Sequence, residues 1–183
     1  MAATTTGRRY GAGLCLAFLT LPLSSAAHAE VLAVAPAGFH LKLERTISAP
    51  PEQAWEALLA VGRWWADAHT YSGKGANMAI EPRAGGCFCE RFDGGEIEHM
   101  RVAYVSPAAR QLVMTGGLGP LLWMGASGSL AITLKAVDGG TSMKWEYRVS
   151  GFEPKGWEAT APLVDRVLGE QIDRLAAHAA ARP

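Results

Sequence analysis

The stretch Ser129–Val149, SLAITLKAVDGGTSMKWEYRV, constrains the fold of this chain more than any other. Leu130, Ile132 and Leu134 alternate with polar or small residues. After Asp138-Gly139-Gly140, Met143, Trp145, Tyr147 and Val149 alternate again. Strict period-2 alternation is the signature of a strand with one buried face. Asp-Gly between two such runs is a strong hairpin signal. The chain must therefore hold an antiparallel sheet with a single apolar face, and something must cover that face.

The remaining segments supply more strands and the cover. Phe39–Ile47 alternates, with Leu41, Leu43, Arg45 and Ile47 on one side. Further strands are predicted at Ala76–Glu81, Cys87–Phe92, Glu96–Val105 and Arg110–Thr115, each closed by glycine, proline or Asp-Gly-Gly. A first helix starts at Pro51, where a missing N–H costs nothing. It carries Trp55, Leu58 and Leu59 on one face and stops at Gly62. Arg63–Asp67 is predicted as a second short helix. From about Thr160 to Ala179, Val164, Val167, Leu168, Gln171, Ile172 and Leu175 form a helical stripe. The fold class expected is α+β: a curved seven-stranded antiparallel sheet wrapped around one long C-terminal helix, with two short helices after the first strand. One helix covers only part of such a sheet, so a cavity is expected.

The first 29 residues read differently. Arg8 and Arg9 precede the apolar run Gly11–Leu23, and Ala27-His28-Ala29 follows. This is the layout of a secretory signal peptide. The apolar run is shorter than the ~20 residues that span a bilayer. The expectation is cleavage before Glu30, no stable membrane span afterwards, and a periplasmic or secreted single domain over 30–183. The whole chain has 17 basic and 17 acidic residues. That balance gives no basic surplus for nucleic acid.

The segments ERTISAPPEQAWEALLAVGRWW, RVAYVSPAARQLVMTG, GSLAITLKAVDGGTSMKWEYRVSG and LVDRVLGEQIDRLAAH, with the turn Gly85-Gly86, resemble the SRPBCC or START-like superfamily and its helix-grip fold. The resemblance runs from Gly38 to Ala179. It implies an apolar or aromatic small molecule held between sheet and helix. It carries over no catalytic residue. An export signal sets the chain apart from the branch resembling activators of a heat-shock ATPase, whose partner is cytosolic. Polyketide cyclase-like chemistry is the alternative the resemblance offers.

The hairpin GGCFCERFDGGEIEHMRVAY holds the candidate chemistry. With a two-residue loop at Gly94-Gly95, Glu90 faces His99 and Arg91 faces Glu98. Phe88, Glu90, Ile97, His99 and Arg101 then share one face, as the polar end and wall of the cavity. Cys87, Cys89, Met100, Val102 and Tyr104 share the other, and the last three would form an exposed strip for a protein partner. With a three-residue loop, Cys87, Cys89 and His99 would come together. His69 could then complete a zinc set, though the usual C-x2-C loop is missing. Two cysteines at i and i+2 on a regular strand lie about 6.6 Å apart at Cβ, too far for a disulfide, which needs about 3.8 Å. Two thiols or a distorted local bridge remain.

Glu90 and His99 are the candidate acid–base pair. Trp64, His69 and Tyr71 are expected near the cavity entrance. Leu121, Leu122 and Trp123 are expected as apolar fingers of a glycine-rich covering loop, and Trp145, Val164, Leu168 and Gln171 on the inward faces. No cofactor is called for: the GGLGP string lacks the lysine and following helix of a phosphate loop.

Overall fold

The computed structural model describes residues 1–2 and 30–181. The expected signal peptide therefore lies outside the described residues. The elements are β1 (Glu30–Ala35), β2 (Gly38–Ile47), α1 (Pro51–Leu59), β3 (Met78–Ile80), β4 (Cys87–Phe92), β5 (Gly95–Ser106), β6 (Gln111–Gly116), β7 (Ser127–Val137), β8 (Gly140–Ser150) and α2 (Ala161–Ala180). The sheet is antiparallel, in the order β1-β2-β8-β7-β6-β5-β4-β3. It has eight strands where seven were predicted. The added strand is β1, which folds back on β2 with Val34 opposite Phe39. A bulge between Val31 and Ala33 leaves the half-buried residues Val31 and Val34 three apart, which erases the period-2 signal.

The second predicted helix is absent. Val61–Arg63 and Asp67–His69 are single 3₁₀ turns, and a third lies at Gly75–Asn77. Trp64 and Trp65 are both buried, and their rings lie 5.6 Å apart. Two adjacent bulky rings cannot both point to one side of a short helix, and the broken backbone lets both turn inward.

The core lies on the concave face of the sheet. Leu41, Leu43, Leu130, Ile132, Trp145 and Tyr147 meet Ile172 and Leu175 of α2. Each fully buried side chain of this kind contributes about 1.5–3 kcal/mol. The helix starts after Thr160, with Pro162 in its first turn. It packs over β1 and β2 and against α1, and Arg45 of β2 pairs with its Asp173 at 2.6 Å. The helix thus leans to one side of the sheet.

Gln171 fixes the helix to the connection after α1. It is fully buried, and its Oε1 accepts the Ala66 N–H at 2.9 Å. A Gln171→Ala change would leave that donor without a partner, which costs about 1–3 kcal/mol. The expected loss is of that size in urea denaturation, with the slope unchanged. A loss below 0.5 kcal/mol would show that the clamp is not needed. Among the described residues, no helix is long and apolar enough to cross a membrane.

Candidate functional site

The hairpin β4–β5 turns at Asp93-Gly94, one residue earlier than expected. Phe92 pairs with Gly95, Arg91 with Glu96 and Glu90 with Ile97. Gly94 takes φ 88°, a conformation glycine adopts without a Cβ penalty. Between Cys89↔Glu98 and Phe88↔Met100 the register slips, and His99 is the extra residue of a bulge. The bulge lets two successive side chains, His99 and Met100, both turn into the core, at 3% and 1% exposure.

The bulge corrects several expectations. Met100 and Val102 are buried and offer no exposed strip; only Tyr104 of that trio is exposed. Arg101 points outward, opposite Cys87, and bonds Gly85 O and Glu98. The observed register keeps an opposite-charge cross-strand pair but changes its partner. Arg91 found Glu96 at 3.1 Å instead of Glu98. Exposed cross-strand pairs are worth about 0.2–1 kcal/mol, less than burying one more large side chain.

Cys87 and Cys89 form the distorted local bridge. They are joined as a disulfide, with Cα atoms 5.3 Å apart. The register slip falls between them, at Phe88/Cys89. The zinc set with His99 and His69 does not assemble, because His99 turns to Glu90 and His69 to Glu170. The ligand atoms of Cys87, Cys89 and Glu98 lie within 4.8 Å of one another, but the two sulfurs are engaged with each other.

Glu90 meets His99, which lines a cavity. Glu90 is fully buried. Its Oε2 accepts the Tyr71 N–H at 3.0 Å and faces His99 Nε2 at 3.2 Å, while Oε1 accepts the Ser72 N–H. Burial pushes the Glu90 carboxyl up. The Ser72 side chain, the Tyr71 and Ser72 N–H groups and His99 outweigh it and hold the carboxyl below its ordinary range. Glu90 is thus an anion, and His99 Nε2 carries the proton that it donates. Burial lowers His99 below the ordinary histidine value, and the neighbouring Glu90 only partly restores it. A neutral imidazole with Nε2–H leaves Nδ1 as a lone-pair acceptor. That atom is buried without a partner. The ring sits between Tyr71 and Phe88, with centroids 5.8 and 5.6 Å away.

The cavity has a volume of about 580 Å³. Its walls come from Trp65–Tyr71, from His99, from the loop Leu118–Met124 and from the first turns of α2. The loop is latched across the mouth: Trp123 Nε1 donates to Tyr71 Oη at 2.8 Å, and Tyr71 Oη donates to Gly119 O at 3.0 Å. Its base rests on Tyr147, whose hydroxyl accepts the Leu118 N–H and donates to Gly116 O, both at 3.3 Å. Burial pushes the Tyr147 phenol up to about 12.

Of the residues expected at the site, His69, Tyr71, His99, Trp123, Val164 and Leu168 line this cavity. Glu90 and Phe88 stand behind His99. Trp64 and Trp145 pack on each other in the core, with centroids 6.2 Å apart, and Gln171 is the clamp described above. Ile97 is half-buried beside Glu90, off the cavity. Sequence reasoning missed Leu118, Met124 and Leu163 as lining; Leu121 was expected as a finger of the covering loop, and Trp65 and Val167 carried signals as part of the aromatic cluster and of the helical stripe.

A family model described as polyketide cyclase / dehydrase and lipid transport matches residues 38–180. No curated protein matches the chain. Among solved structures, an uncharacterized protein from Rhizobium leguminosarum is 18% identical, with a TM-score of 0.56 over 78% of this chain and 95% of its own. Ara h 8.0201 is 16% identical, with a TM-score of 0.54 over 78% and 98%. CalU16 from Micromonospora echinospora is 15% identical, with a TM-score of 0.55 over 86% of each chain. At these identities the likeness extends to the fold alone.

Proposed function

The chain belongs to the polyketide cyclase / dehydrase and lipid transport family, and from that premise we propose that it is an exported protein that binds a small apolar or aromatic molecule between sheet and α2. The observation that carries this is the lining of the cavity. It holds Trp65, Leu121, Met124, Leu163, Val164 and Leu168, and no lysine, arginine, aspartate or glutamate. Apolar walls with few convergent polar groups are the ordinary make-up of a small-molecule site. Export rests on the composition of residues 1–29. It is tested by locating the full-length protein in cell fractions.

Val164→Trp tests the cavity. Val164 lines the cavity and is only half-buried, so the added ring would enter that space. Affinity for an apolar probe such as naphthalene is expected to fall at least tenfold, with stability within ~1 kcal/mol of the parent. Equilibrium dialysis and urea denaturation read the two quantities. Unchanged affinity would remove the cavity from consideration.

The Glu90–His99 contact supports a second reading, an acid–base enzyme of the cyclase or dehydratase type. A carboxylate that fixes the tautomer of an imidazole prepares Nδ1 to take a proton. His99→Ala would then lower turnover about 10²–10⁴-fold with little change in affinity. In a carrier the same change would alter affinity alone.

A further inference from the structure

We infer that the Cys87–Cys89 bridge is a thiol–disulfide exchange site, opened by an external thiol that attacks Cys87 while the fold stays intact. The site is independent of the cavity and lies on the other face of the sheet. Cys87 pairs with Arg101 and Cys89 with Glu98 across the β4–β5 ladder, and directly opposed residues share a face. The side chains of Arg101 and Glu98 are 55% and 43% exposed, so the bridge is on the solvent side. The two cysteines are not equivalent there. Cys87 is half-buried, whereas Cys89 is 2% exposed. Ala79 of β3 flanks Cys89, and that ladder ends at Phe88, short of Cys87.

The bridge does little for the fold. A cross-link stabilises more the longer the loop it closes, and only Phe88 lies between these two cysteines. Phe88 is 1% exposed and is held by the rings of Trp65 and His99, with centroids 5.5 and 5.6 Å away. The neighbouring bulge is held by burial of Met100 and Val102. None of these contacts needs the S–S bond. An accessible bridge that the fold does not need is the kind that exchanges with thiols. The chemistry closes in two steps. A thiolate attacks Cys87 Sγ, the S–S bond breaks, and Cys89 leaves as a thiolate that takes the proton given up by the attacking thiol. A second external thiol then attacks the outer sulfur of the mixed disulfide and releases Cys87. The pair gains two electrons and two protons, and the two external thiols end as a disulfide. Arg101 bonds Glu98, whose carboxylate lies within 4.8 Å of both sulfurs. Its guanidinium offsets that negative charge and so favours the thiolate.

The test uses the full-length protein without denaturant. Alkylation after exposure to dithiothreitol, mapped by mass spectrometry, reads Cys87 and Cys89 separately from Cys15. The bridge is expected to open, and oxidised glutathione to close it again, with the circular dichroism of the protein unchanged throughout. A bridge that opens only in urea, or whose opening melts the sheet, would be a structural staple and would overturn the inference. The direction of attack is read on single variants. Cys87 in Cys89→Ser is expected to form a mixed disulfide with glutathione about tenfold faster than Cys89 in Cys87→Ser. Equal rates would overturn Cys87 as the attacked sulfur. Should either variant not fold, iodoacetamide on the reduced parent decides: Cys87 is expected to be alkylated first, and the reverse order overturns the assignment.

Discussion

Replacing Glu90 by leucine is expected to lower stability by about 3 kcal/mol, although no strand, helix or apolar contact is removed. The carboxylate is the acceptor that ties Tyr71 and Ser72 to β4 and keeps the His99 ring in place. Leucine would leave the Tyr71 and Ser72 N–H groups and the His99 Nε2–H without their partner. Each orphaned buried donor costs about 1–3 kcal/mol. The sum is moderated in two ways: water can reach the partly buried loop, and the desolvation of Glu90 itself disappears. Glu90→Gln keeps one carbonyl oxygen and should lose about half as much. Urea denaturation of the three proteins measures the series. A Glu90→Leu protein as stable as its parent would mean that the loop is held by something else.

Acid should weaken the fold through the same pair, starting below about pH 6.5. The sign follows from His99. Its folded-state value lies below the ordinary histidine value because the ring is buried. As pH falls below the unfolded value, the unfolded chain takes up a proton that the folded chain refuses. Stability then drops by up to about 1.4 kcal/mol per pH unit until the folded value is reached. Glu90 acts in the same direction at lower pH. Its folded value is also depressed, so its contribution is present above the unfolded carboxyl value and is lost as pH falls through the folded one. Denaturation midpoints of the parent and of His99→Phe, measured from pH 8 to pH 5, isolate the histidine. The parent should lose more stability over that interval than the variant. Parallel curves would show that His99 titrates alike in both states.

The candidate site was legible in pieces. The hairpin Cys87–Tyr104 announced its chemistry through residue types, and Glu90 and His99 do meet. They meet through a bulge, not as a regular facing pair. No local signal marked His99 as the extra residue, because a bulge is chosen by what the neighbouring strands and the core will accept. The lining residues Leu118 and Met124 were equally hidden. They lie in an irregular loop with no period, and Tyr71 and Tyr147 hold that loop in place from distant parts of the chain.

Periodicity by itself determined the α+β class, the strands from β2 onward and the stripe of α2. A strand or helix must present its apolar side chains at its own geometric period, and that period is written in neighbouring residues. The tertiary structure alone decided where His99 points, which way Arg101 turns, how Cys87 and Cys89 bridge, and that β1 joins the edge of the sheet. The turn of His99 and Met100 is a choice between local arrangements that differ by about a kcal/mol or less, and their burial against side chains from remote segments, worth more than that per residue, tips it.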